Sequence, residues 1–361
     1  MKGTPYNFFV QFHLTERCNL RCRHCYQSGT VPEMRYEEVC GAIDNIRSAV
    51  TGWAIDHEMI LEPSLHFTGG EPLLRKDLFE ILGYAHEHGF LISLMSNGTL
   101  IDSSLARRIR DAYVTDVQIS LDGLERTHDS LRGIGSYNRA LEGIRNLVAQ
   151  GIATNVNLTV SRVNMGQTGD LVRLAEELGI SAIAFSRLVP TGRGREMGSE
   201  ALSSEEIAAF YTQLRDYRNS SNVVVTSRDP LATIADIDVD EEIPQTDMPI
   251  GGCAAGVFGV TIAADGTIMP CRRMNLPIGN IKDVSFRELW AESPILWALR
   301  TREDYHGGCQ SCRYWSICRG CRAIALAFAR ASGNDDYLGP DPQCFCRHLL
   351  HRNWSHPIQV T

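Results

Sequence analysis

The sequence predicts an α/β fold, in which a partial (β/α)6 barrel of the TIM type is followed by a small cysteine-rich domain. Short apolar runs alternate with longer amphipathic segments up to about residue 219. Eight of the twelve cysteines then fall within residues 253–346. Strands separated by helices indicate βα units and a parallel sheet. In a barrel of this type the functional groups lie at the C-terminal ends of the strands.

Six strands and five helices make up the predicted barrel. The predicted strands are NFFVQFHL at residues 7–14, Leu65–Thr68, Phe90–Met95, Val114–Leu121, Ala153–Val160 and Ala182–Leu188. The predicted helices are Glu37–Val50, Lys76–His86, Ser103–Ala112, Tyr137–Ala149 and Gly169–Leu178. The alternation fades beyond these segments, so we expect the barrel domain to span residues 1–235.

The remainder of the chain is predicted to hold a linker and a second domain. Segment 236–250 is acidic and contains two prolines, which favours a linker or a surface loop. A hairpin is expected where Asp265-Gly266 separates two apolar runs, because Asp-Gly suits the tight turns of hairpins. A helix is predicted over Ser285–Leu299, within a cysteine-rich domain at residues 251–361.

Composition and charge limit the classes of protein to which the chain can belong. The 361 residues are 43% hydrophobic and 22% charged, as is typical of globular domains. The net charge of −8 supplies no basic stripe for nucleic acid. No apolar run approaches the roughly 18 residues of a membrane helix, and the N-terminus lacks the apolar core of a signal peptide. We expect a cytoplasmic protein that binds neither nucleic acid nor membrane.

The use of cysteine is unusual for a cytoplasmic chain. Eleven of the twelve cysteines lie within residues 18–25 and 253–346. Disulfides are rare in a reducing compartment, and clustered thiols there favour metal ligation. Cys40 stands apart within a predicted helix, and we expect a buried structural thiol at this position.

The first group of cysteines predicts a reactive metal site. Cys18, Cys22 and Cys25 follow the first strand with the spacing C-x3-C-x2-C, and no fourth cysteine is near them in the sequence. Structural zinc sites have four protein ligands, so three thiolates indicate a centre with an open position. A [4Fe–4S] cluster with one open iron fits this set. A zinc ion closed by His24 or by a distant group is the alternative.

This motif resembles the signature of the radical SAM superfamily, C-x3-C-x-aromatic-C, with His24 in the aromatic position. The resemblance implies a [4Fe–4S] cluster whose open iron binds S-adenosylmethionine. Reductive cleavage of this cofactor yields a 5′-deoxyadenosyl radical, which removes a hydrogen atom from the substrate. The cofactor performs the difficult chemistry, and the protein positions it and shields the radical.

A glycine-rich segment at the end of the second predicted strand carries the same resemblance. Gly69, Gly70, Glu71 and Pro72 are similar to the family motif that holds the amino group of the methionine. Glycines allow a close approach of the backbone, and a glutamate can accept charge-assisted hydrogen bonds from an ammonium group.

Polar residues at the ends of later strands extend the implied S-adenosylmethionine site. Asn97 follows the third predicted strand. The resemblance assigns Ser120 and Asp122 to the ribose hydroxyls or nearby polar atoms, and Arg132 to the methionine carboxylate. Leu188 begins a segment that resembles the one flanking the adenine. No catalytic acid, base or radical relay is identified from the sequence.

The second group of cysteines resembles the SPASM domain, a small Fe–S domain that carries two auxiliary [4Fe–4S] clusters. By this resemblance the first auxiliary cluster is held by Cys253, Cys271 and Cys321, and the second by Cys309, Cys312, Cys318 and Cys344. Three roles stay open for Cys346. It could replace Cys344 as a ligand of the second cluster, it could be the fourth ligand of the first cluster, or it could bind neither cluster. Only two residues separate Cys318 from Cys321, one fewer than in the family pattern. Residues 309–321 alone would also suit a four-cysteine zinc site.

The two resemblances together imply a class of reaction and a set of partners. SPASM enzymes mostly modify ribosomally made peptides, so we expect a peptide maturase that forms a crosslink such as a Cys thioether, or oxidises another side chain. A radical SAM enzyme acting on a small molecule such as a haem precursor is one alternative, and a non-catalytic zinc-binding protein is another. The implied partners are a peptide substrate and an electron donor such as flavodoxin or ferredoxin. The leader of the peptide would be bound by a separate recognition protein or directly by the two domains.

Overall fold

The computed structural model of the chain describes residues 6–27, 29, 31–237 and 242–346. The strands of these residues are β1 (Tyr6–His13), β2 (Leu61–Thr68), β3 (Leu91–Ser96), β4 (Asp116–Ser120), β5 (Ala153–Val160), β6 (Ala182–Arg187), β7 (Val224–Ser227), β8 (Gly259–Ile262), β9 (Thr267–Met269) and β10 (Gly279–Asn280). The helices are α1 (Tyr36–Asp56), α2 (Leu78–Glu87), α3 (Ser103–Asp111), α4 (Glu125–Arg132), α5 (Ser136–Ala149), α6 (Thr168–Glu177), α7 (Ser204–Ser220), α8 (Pro230–Ala235), α9 (Phe286–Glu292), α10 (Pro294–Arg300) and α11 (Arg322–Ala331).

All of these strands belong to a single sheet, in the order β10-β9-β8-β1-β2-β3-β4-β5-β6-β7. Neighbouring strands from β1 to β7 are parallel, and the register aligns Val10 with Leu65. β8 is parallel to β1, whereas β9 is antiparallel to both β8 and β10. Consecutive parallel strands joined by helices form a curved half-barrel whose strand C-termini meet at one rim. This confirms the predicted α/β class with a partial barrel.

The two faces of the sheet differ in polarity because side chains alternate along each strand. Val10 and Leu65 point away from the barrel interior and are fully buried in the apolar core. Gln11, His66 and Asn157 point into the interior, where they line a cavity. Helices cover the apolar face, and the polar face is left for the functional site.

Each strand and helix of the predicted barrel is present, with small shifts at the ends. β2 begins at Leu61 rather than Leu65, and α1 continues to Asp56. α4, α7, β7 and α8 were not predicted. The sequence does contain a signal for the start of α7, because Ser203 and Glu206 have the spacing of a capping box, which their side chains form in the structure.

The predicted helix over Ser285–Leu299 is wrong as a single element. The structure has two helices there, α9 and α10, which meet at Ser293. Pro294 has no backbone N–H and cannot continue the first helix. The Ser293 hydroxyl instead accepts a hydrogen bond from the backbone N–H of Leu296 and caps the second helix (3.4 Å).

The hairpin predicted at Asp265-Gly266 is formed by β8 and β9. Because β8 pairs with β1, the hairpin extends the sheet of the barrel rather than starting a separate one. The limits proposed for the two domains stay predictions. Residues 238–241 of the expected linker and residues 347–361 of the expected C-terminal domain lie outside the described residues. Within the described part of the chain, none of the helices combines the length and apolar character needed to cross a bilayer.

Candidate functional site

A cavity of about 380 Å³, here named the main cavity, opens at the C-terminal ends of the barrel strands. Its volume lies in the range of small-molecule sites, roughly 300–1,000 Å³. The predicted site residues that line it are Cys18, Cys22, Cys25, Gly69, Gly70, Asn97, Ser120, Arg132, Cys253, Cys271 and Cys321. The structure therefore brings together the first cysteine group, the glycine-rich segment and three cysteines from the C-terminal region.

The loop of the first three cysteines is anchored by the segment that follows β6. The backbone N–H of Gly194 donates to the carbonyl of Cys25 (3.2 Å). A Cβ atom at Gly192 would lie 2.3 Å from the carbonyl oxygen of Tyr26, and the φ of +58° at this glycine also disfavours other residues. The close contact fixes the position of the cysteine loop at the rim of the barrel.

Hydrogen-bond donors surround the thiols of this loop. Asn97 Nδ2 lies 3.9 Å from Cys18 Sγ, and Arg132 Nη1 lies 3.7 Å from Cys22 Sγ. Burial raises the pKa of both thiols, so they would carry little charge without a metal. Metal ligation deprotonates a thiol outright, and the neighbouring donors then stabilise the thiolates. The donor set fits a thiolate-ligated cluster.

The carboxylate of Glu71 organises the rim of the cavity but does not line it. It accepts hydrogen bonds from Ser96 Oγ (2.8 Å), from the backbone N–H of Asn97 (2.8 Å) and from that of Leu73 (3.3 Å). Burial raises its pKa to about 7, although these hydrogen bonds oppose the shift. In the structure Glu71 positions Asn97, whereas Gly69 and Gly70 face the cavity.

Asp122 also acts through its neighbours in the structure. Its carboxylate is fully buried and pairs with Arg132 Nε and with His24 Nε2 (3.2 Å), and it accepts from the backbone N–H of Thr159 (2.8 Å). Burial alone would raise the pKa of Asp122, but the charge of Arg132 and the contact with His24 lower it to about 2. Asp122 thus orients Arg132 toward the cysteine loop.

Four of the predicted cofactor residues, Glu71, Pro72, Asp122 and Leu188, are not among the residues that line the main cavity. Their assignment to the cofactor stays a prediction. Leu188 is buried in a small apolar cluster with Leu131 and Met197. The next residue, Val189, faces the cavity instead.

Three C-terminal cysteines form part of the wall of the main cavity. Cys253 and Cys271 are half-buried and Cys321 is buried. The backbone N–H of Cys321 donates to Asp341 Oδ2 (2.8 Å), which fixes this cysteine at the start of α11. Burial raises the pKa of Cys321 to about 12, although the charge of Arg273 opposes the shift. The resemblance assigns these three thiols to the first auxiliary cluster, and all three line the main cavity.

A second cavity of about 220 Å³ gathers the remaining C-terminal thiols. It is lined by Cys309, Cys312, Cys318, Cys344 and Cys346. The Cys346 thiol shares hydrogen bonds with Cys312 and Cys344. This contact separates Cys346 from the three cysteines of the main cavity. Cys40 lies apart, buried in α1, as expected of a structural thiol.

Within the described residues, no group of three or more His, Cys, Asp or Glu side chains is placed to hold one metal ion. A cubane cluster binds each cysteine through a different iron atom, so its ligands do not converge on a single point.

Arginines dominate the charge of the main cavity, a feature that the sequence reasoning missed except for Arg132. The side chains are Arg132, Arg187, Arg193, Arg228, Arg272 and Arg273. The acidic residue that lines the cavity with them is Asp229. A signal was present in the sequence, because Arg187 is the last residue but one of a predicted strand and Arg272 and Arg273 directly follow Cys271.

The arginines of the cavity differ in the ion pairs and hydrogen bonds that they form. Arg187 pairs with Asp229 (2.7 Å) and Arg272 with Glu16 (3.0 Å). Among the residues that the structure describes, the hydrogen bond of the Arg193 side chain is to a backbone atom, from its Nε to the carbonyl of Cys22 (3.1 Å). Arg228 is exposed and forms no hydrogen bond or ion pair with any described residue. Arg193 and Arg228 are therefore free to bind an anion.

Comparisons with protein families match both halves of the chain. Residues 12–175 match the radical SAM superfamily, and residues 253–322 match SPASM, an iron–sulfur cluster-binding domain. An AdoMet-dependent heme synthase of Oleidesulfovibrio alaskensis is 33% identical over 95% of this chain and 88% of its own length. An Fe-coproporphyrin III synthase of Methanosarcina barkeri is 28% identical over 86% and 82%. A mycofactocin maturase of Mycobacterium ulcerans is 29% identical over 93% and 87%.

Solved structures share the fold at lower identity. Native anSMEcpe with bound AdoMet and Cp18Cys peptide has a TM-score of 0.71 at 21% identity, with 95% of each chain covered. Streptococcus suis SuiB bound to the precursor peptide SuiA has a TM-score of 0.70 at 17% identity, covering 92% of this chain and 74% of the other. At these identities the likeness concerns the fold alone.

Proposed function

The chain belongs to the radical SAM superfamily and carries a SPASM domain, and from this premise we propose that it oxidises a small molecule with several carboxylates, an iron porphyrin. The observation that carries the proposal is the charge of the main cavity, where six arginines face one acidic residue. A polycarboxylate is the class of substrate that such a surface attracts and orients.

Membership of the superfamily defines the cofactors of this enzyme. The radical SAM domain binds a [4Fe–4S] cluster and S-adenosylmethionine, and the SPASM domain binds auxiliary iron–sulfur clusters. When bound, these groups supply the radical that removes a hydrogen atom and an acceptor for the electron left behind. The residues of the chain bind these groups, orient the substrate and exclude water.

The arrangement of the cavities supports a division of the cysteines among three clusters. We assign Cys18, Cys22 and Cys25 to the cluster that binds S-adenosylmethionine. The three thiols of the main cavity would hold the first auxiliary cluster and leave one iron open. The second cavity offers five thiols for a cluster that needs four. S-adenosylmethionine would lie against Gly69, Gly70, Asn97, Ser120 and Arg132, the predicted cofactor residues that face the cavity.

The uncommitted arginines are the proposed anchors for the substrate carboxylates. Arg193 lies beside the first cysteine loop and Arg228 follows β7, so the two approach the cavity from different elements. Arg–carboxylate pairs are bidentate and directional. Phe9 and His66 stack at 5.2 Å within the cavity lining and present a flat surface to a planar ring.

The chemistry of haem formation suits such a site. Haem carries vinyl groups at two of the four positions where coproporphyrin carries propionates. Conversion of a propionate to a vinyl group removes one hydrogen atom and one further electron and releases the carboxylate as CO₂. The radical would take the hydrogen atom, and an auxiliary cluster held by Cys253, Cys271 and Cys321, which line the same cavity, would supply an acceptor for the electron. Two relatives of the chain bear the names heme synthase and Fe-coproporphyrin III synthase.

The direct test is turnover by the iron-loaded protein without oxygen. The protein would be given S-adenosylmethionine, a reductant and iron coproporphyrin, and the porphyrin would be followed by mass spectrometry. We expect loss of CO₂ and hydrogen from the propionates, in step with 5′-deoxyadenosine. Formation of 5′-deoxyadenosine with an unchanged porphyrin would contradict the proposal.

Substitution of the two anchors separates binding from chemistry. Arg193→Met and Arg228→Met should each weaken porphyrin binding about tenfold or more, since a hydrogen bond to a charged group contributes about 1.5–3 kcal/mol. Arg107→Met, at an exposed position of α3, is the matched control. Equal porphyrin affinity in all three variants would show that the cavity arginines do not bind this substrate.

A ribosomally made peptide is the second candidate substrate. The interior of the main cavity carries neutral amides, Gln11, Gln118 and Asn157, which can pair with peptide groups. The mycofactocin maturase relatives favour the same class. In the proposal for a peptide, a cysteine thiolate would bind the open iron of the first auxiliary site.

The two candidate substrates, an iron porphyrin and a peptide, would give different products in the same assay. A precursor peptide that loses two hydrogens in step with 5′-deoxyadenosine, in a reaction where iron coproporphyrin is inert, would favour the peptide. An electron donor such as flavodoxin or ferredoxin is required by either reaction. That donor and a separate leader-recognition protein stay predictions.

A further inference from the structure

The loop of the first cysteine group has a basic outer surface. Residues 17–25 contain three arginines, Arg17, Arg21 and Arg23, and no acidic residue. All three arginines are exposed, and none of them is among the residues that line the main cavity. The loop therefore presents positive charge to solvent outside the cavity, although the chain as a whole has a net charge of −8.

Two of these arginines lack a counter-charge. Arg17 pairs with Glu33 (2.8 Å). The side chains of Arg21 and Arg23 form no hydrogen bond or ion pair with any residue that the structure describes. The backbone N–H of Arg23 donates to the carbonyl of Leu131 (2.8 Å), so the loop packs against the C-terminal end of α4.

Two neighbouring segments flank this part of the loop. Ile134, in the turn between α4 and α5, is 94% exposed. The exposed Arg195 directly follows Gly194, whose backbone N–H donates to the first cysteine loop (3.2 Å). An exposed apolar side chain among arginines is typical of a surface that binds another protein. We name the surface formed by Arg21, Arg23, Ile134 and Arg195 the basic surface.

The acidic side chains near the basic surface do not cancel its charge. Asp129 accepts hydrogen bonds from the backbone N–H groups of Gly135 (2.6 Å) and Tyr137 (2.9 Å). Glu196, which follows Arg195 in the sequence, is exposed and offsets one of the three arginines of the surface. The basic surface therefore keeps a net positive charge.

The position of this charge indicates the kind of partner. Arg21 and Arg23 stand on either side of Cys22 in the sequence, a residue that we assign to the S-adenosylmethionine cluster. That cluster must receive one electron before the cofactor is cleaved, and electron transfer slows steeply with distance. A basic surface attracts and steers an acidic partner, and redox partners associate through small interfaces. A small acidic protein that carries one electron fits these conditions.

The surface beside the second cavity suits such a partner less well. Gln310 Nε2 donates to the carbonyl of Glu303 (3.2 Å), which places the exposed pair Glu303 and Asp304 beside the loop of that cavity. Arg302 and Arg313 belong to the same region. Charges of both signs are therefore mixed there, and an acidic protein would be attracted more weakly.

We propose that an acidic one-electron carrier protein docks on the basic surface and reduces the S-adenosylmethionine cluster directly, without passing the electron through the auxiliary clusters. One electron leaves the reduced carrier and enters the cluster, and no proton or chemical group is transferred. The proposal rests on the radical SAM chemistry of the chain and is independent of the identity of the substrate.

Reversal of the loop charges tests the docking site. The iron-loaded protein would be mixed with S-adenosylmethionine and reduced acidic ferredoxin, without substrate or oxygen, and freeze-quench EPR would follow reduction of the cluster that responds to S-adenosylmethionine. The double variant Arg21→Glu with Arg23→Glu should be reduced about tenfold or more slowly than the wild type, since steering changes association rates by about 10–10³. Reduction by dithionite, which needs no docking, should be unchanged.

A second double variant controls for the change in net charge. Arg107→Glu with Arg215→Glu reverses two exposed arginines on α3 and α7, away from the cysteine loop, and should keep the wild-type rate with ferredoxin. Calorimetric titration with oxidised ferredoxin gives a readout without electron transfer, in which the loop variant should bind more weakly than the control. Equal ferredoxin rates and affinities in the two double variants would overturn the proposal.

The wild-type protein provides a test that depends on no substitution. Added salt screens exposed charges, so the rate of reduction by ferredoxin should fall as the ionic strength rises, whereas reduction by dithionite should not fall in parallel. A ferredoxin rate that is independent of salt would overturn the proposal. Because no substrate is present, these outcomes are separate from the test with iron coproporphyrin.

Discussion

Arg187 and Asp341 form an ion pair that is closed to solvent and joins the barrel to the C-terminal cysteine region. Arg187 Nη2 lies 2.8 Å from Asp341 Oδ2, and the two side chains are 1% and 0% exposed. The same carboxylate accepts from the backbone N–H of Cys321 (2.8 Å), and Arg187 also pairs with Asp229. One buried arginine at the end of β6 thus positions a proposed ligand of the first auxiliary cluster.

Replacement of this arginine should destabilise the protein strongly. Arg187→Met leaves Asp229 and Asp341 buried without their cation, which costs about 3–5 kcal/mol when one partner of a buried pair is removed. Denaturant unfolding of the iron-loaded protein under argon would measure the change. Arg162→Met, in an exposed pair with Glu206, is the control and should have little effect, because an exposed ion pair contributes little to stability. Equal effects of the two substitutions would contradict the role of Arg187.

Gly70 is expected to be intolerant of a side chain because of its contact with the first cysteine loop. A Cβ atom there would lie 2.2 Å from the carbonyl oxygen of Arg17. Gly70→Ala should therefore cost about 1–3 kcal/mol through overpacking and lower the iron content of the cluster held by that loop. The measurements are unfolding by denaturant and iron per chain.

A glycine in open space provides the control for this substitution. A Cβ atom at Gly83, within α2, would have no heavy atom within 4 Å. Gly83→Ala should stabilise the helix by about 0.5–1 kcal/mol. If Gly70→Ala behaves in the same way, the proposed close approach is not required for folding or for cluster binding.

The second cavity should tolerate loss of its surplus thiol. Five cysteines line it and one cluster needs four ligands, so Cys346→Ser should keep the wild-type iron content, ~12 atoms for three cubane clusters. Cys312→Ser should lower the iron content by ~4 atoms per chain unless Cys346 replaces the lost thiolate. The double variant Cys312→Ser with Cys346→Ser removes that replacement. Iron and sulfide analysis with Mössbauer spectroscopy would measure each change, and loss of a cluster in Cys346→Ser alone would show that Cys346 is an obligatory ligand.

Acid should destabilise the protein through histidines that are buried in neutral form. Burial lowers the pKa of His66 to about 4 from its ordinary value of 6.5. Between these values the unfolded chain binds more protons, so the free energy of unfolding falls as the pH decreases from about 6.5 toward 4. His66→Gln should reduce this slope by at most about 1.4 kcal/mol per pH unit. Denaturant midpoints measured across this range would test it, with the exposed His57→Gln as the control; an unchanged slope in His66→Gln would contradict the assignment.

Much of the barrel could be predicted because its signals are local. The hydrophobic periodicity of neighbouring residues predicts strands such as Ala153–Val160 and helices such as Ser136–Ala149. The helix over Ser285–Leu299 failed as one element because Pro294 outweighs the apolar pattern around it. β7 is short, with only one of its four residues buried, and its pattern alone is too weak to read.

The site shows a sharper division between what could and could not be predicted. Cysteine spacing indicated two metal-binding regions, because ligands close in sequence are close in space. The assignment of Cys321 to a different cluster from Cys309, Cys312 and Cys318 was suggested only by resemblance, and its place in the wall of the main cavity comes from the structure. The roles of Glu71 and Asp122 as supports for other residues also depend on partners that are distant in the sequence.

The sequence by itself determined the alternation of strands and helices, the positions of the thiols, and the family to which the chain belongs. The tertiary structure alone decided which side chains share a cavity and that six arginines and one acidic residue line it together. The physical reason is one of range. Periodicity and ligand spacing act over a few residues, whereas charge and hydrogen-bond balance are set where segments hundreds of residues apart come into contact.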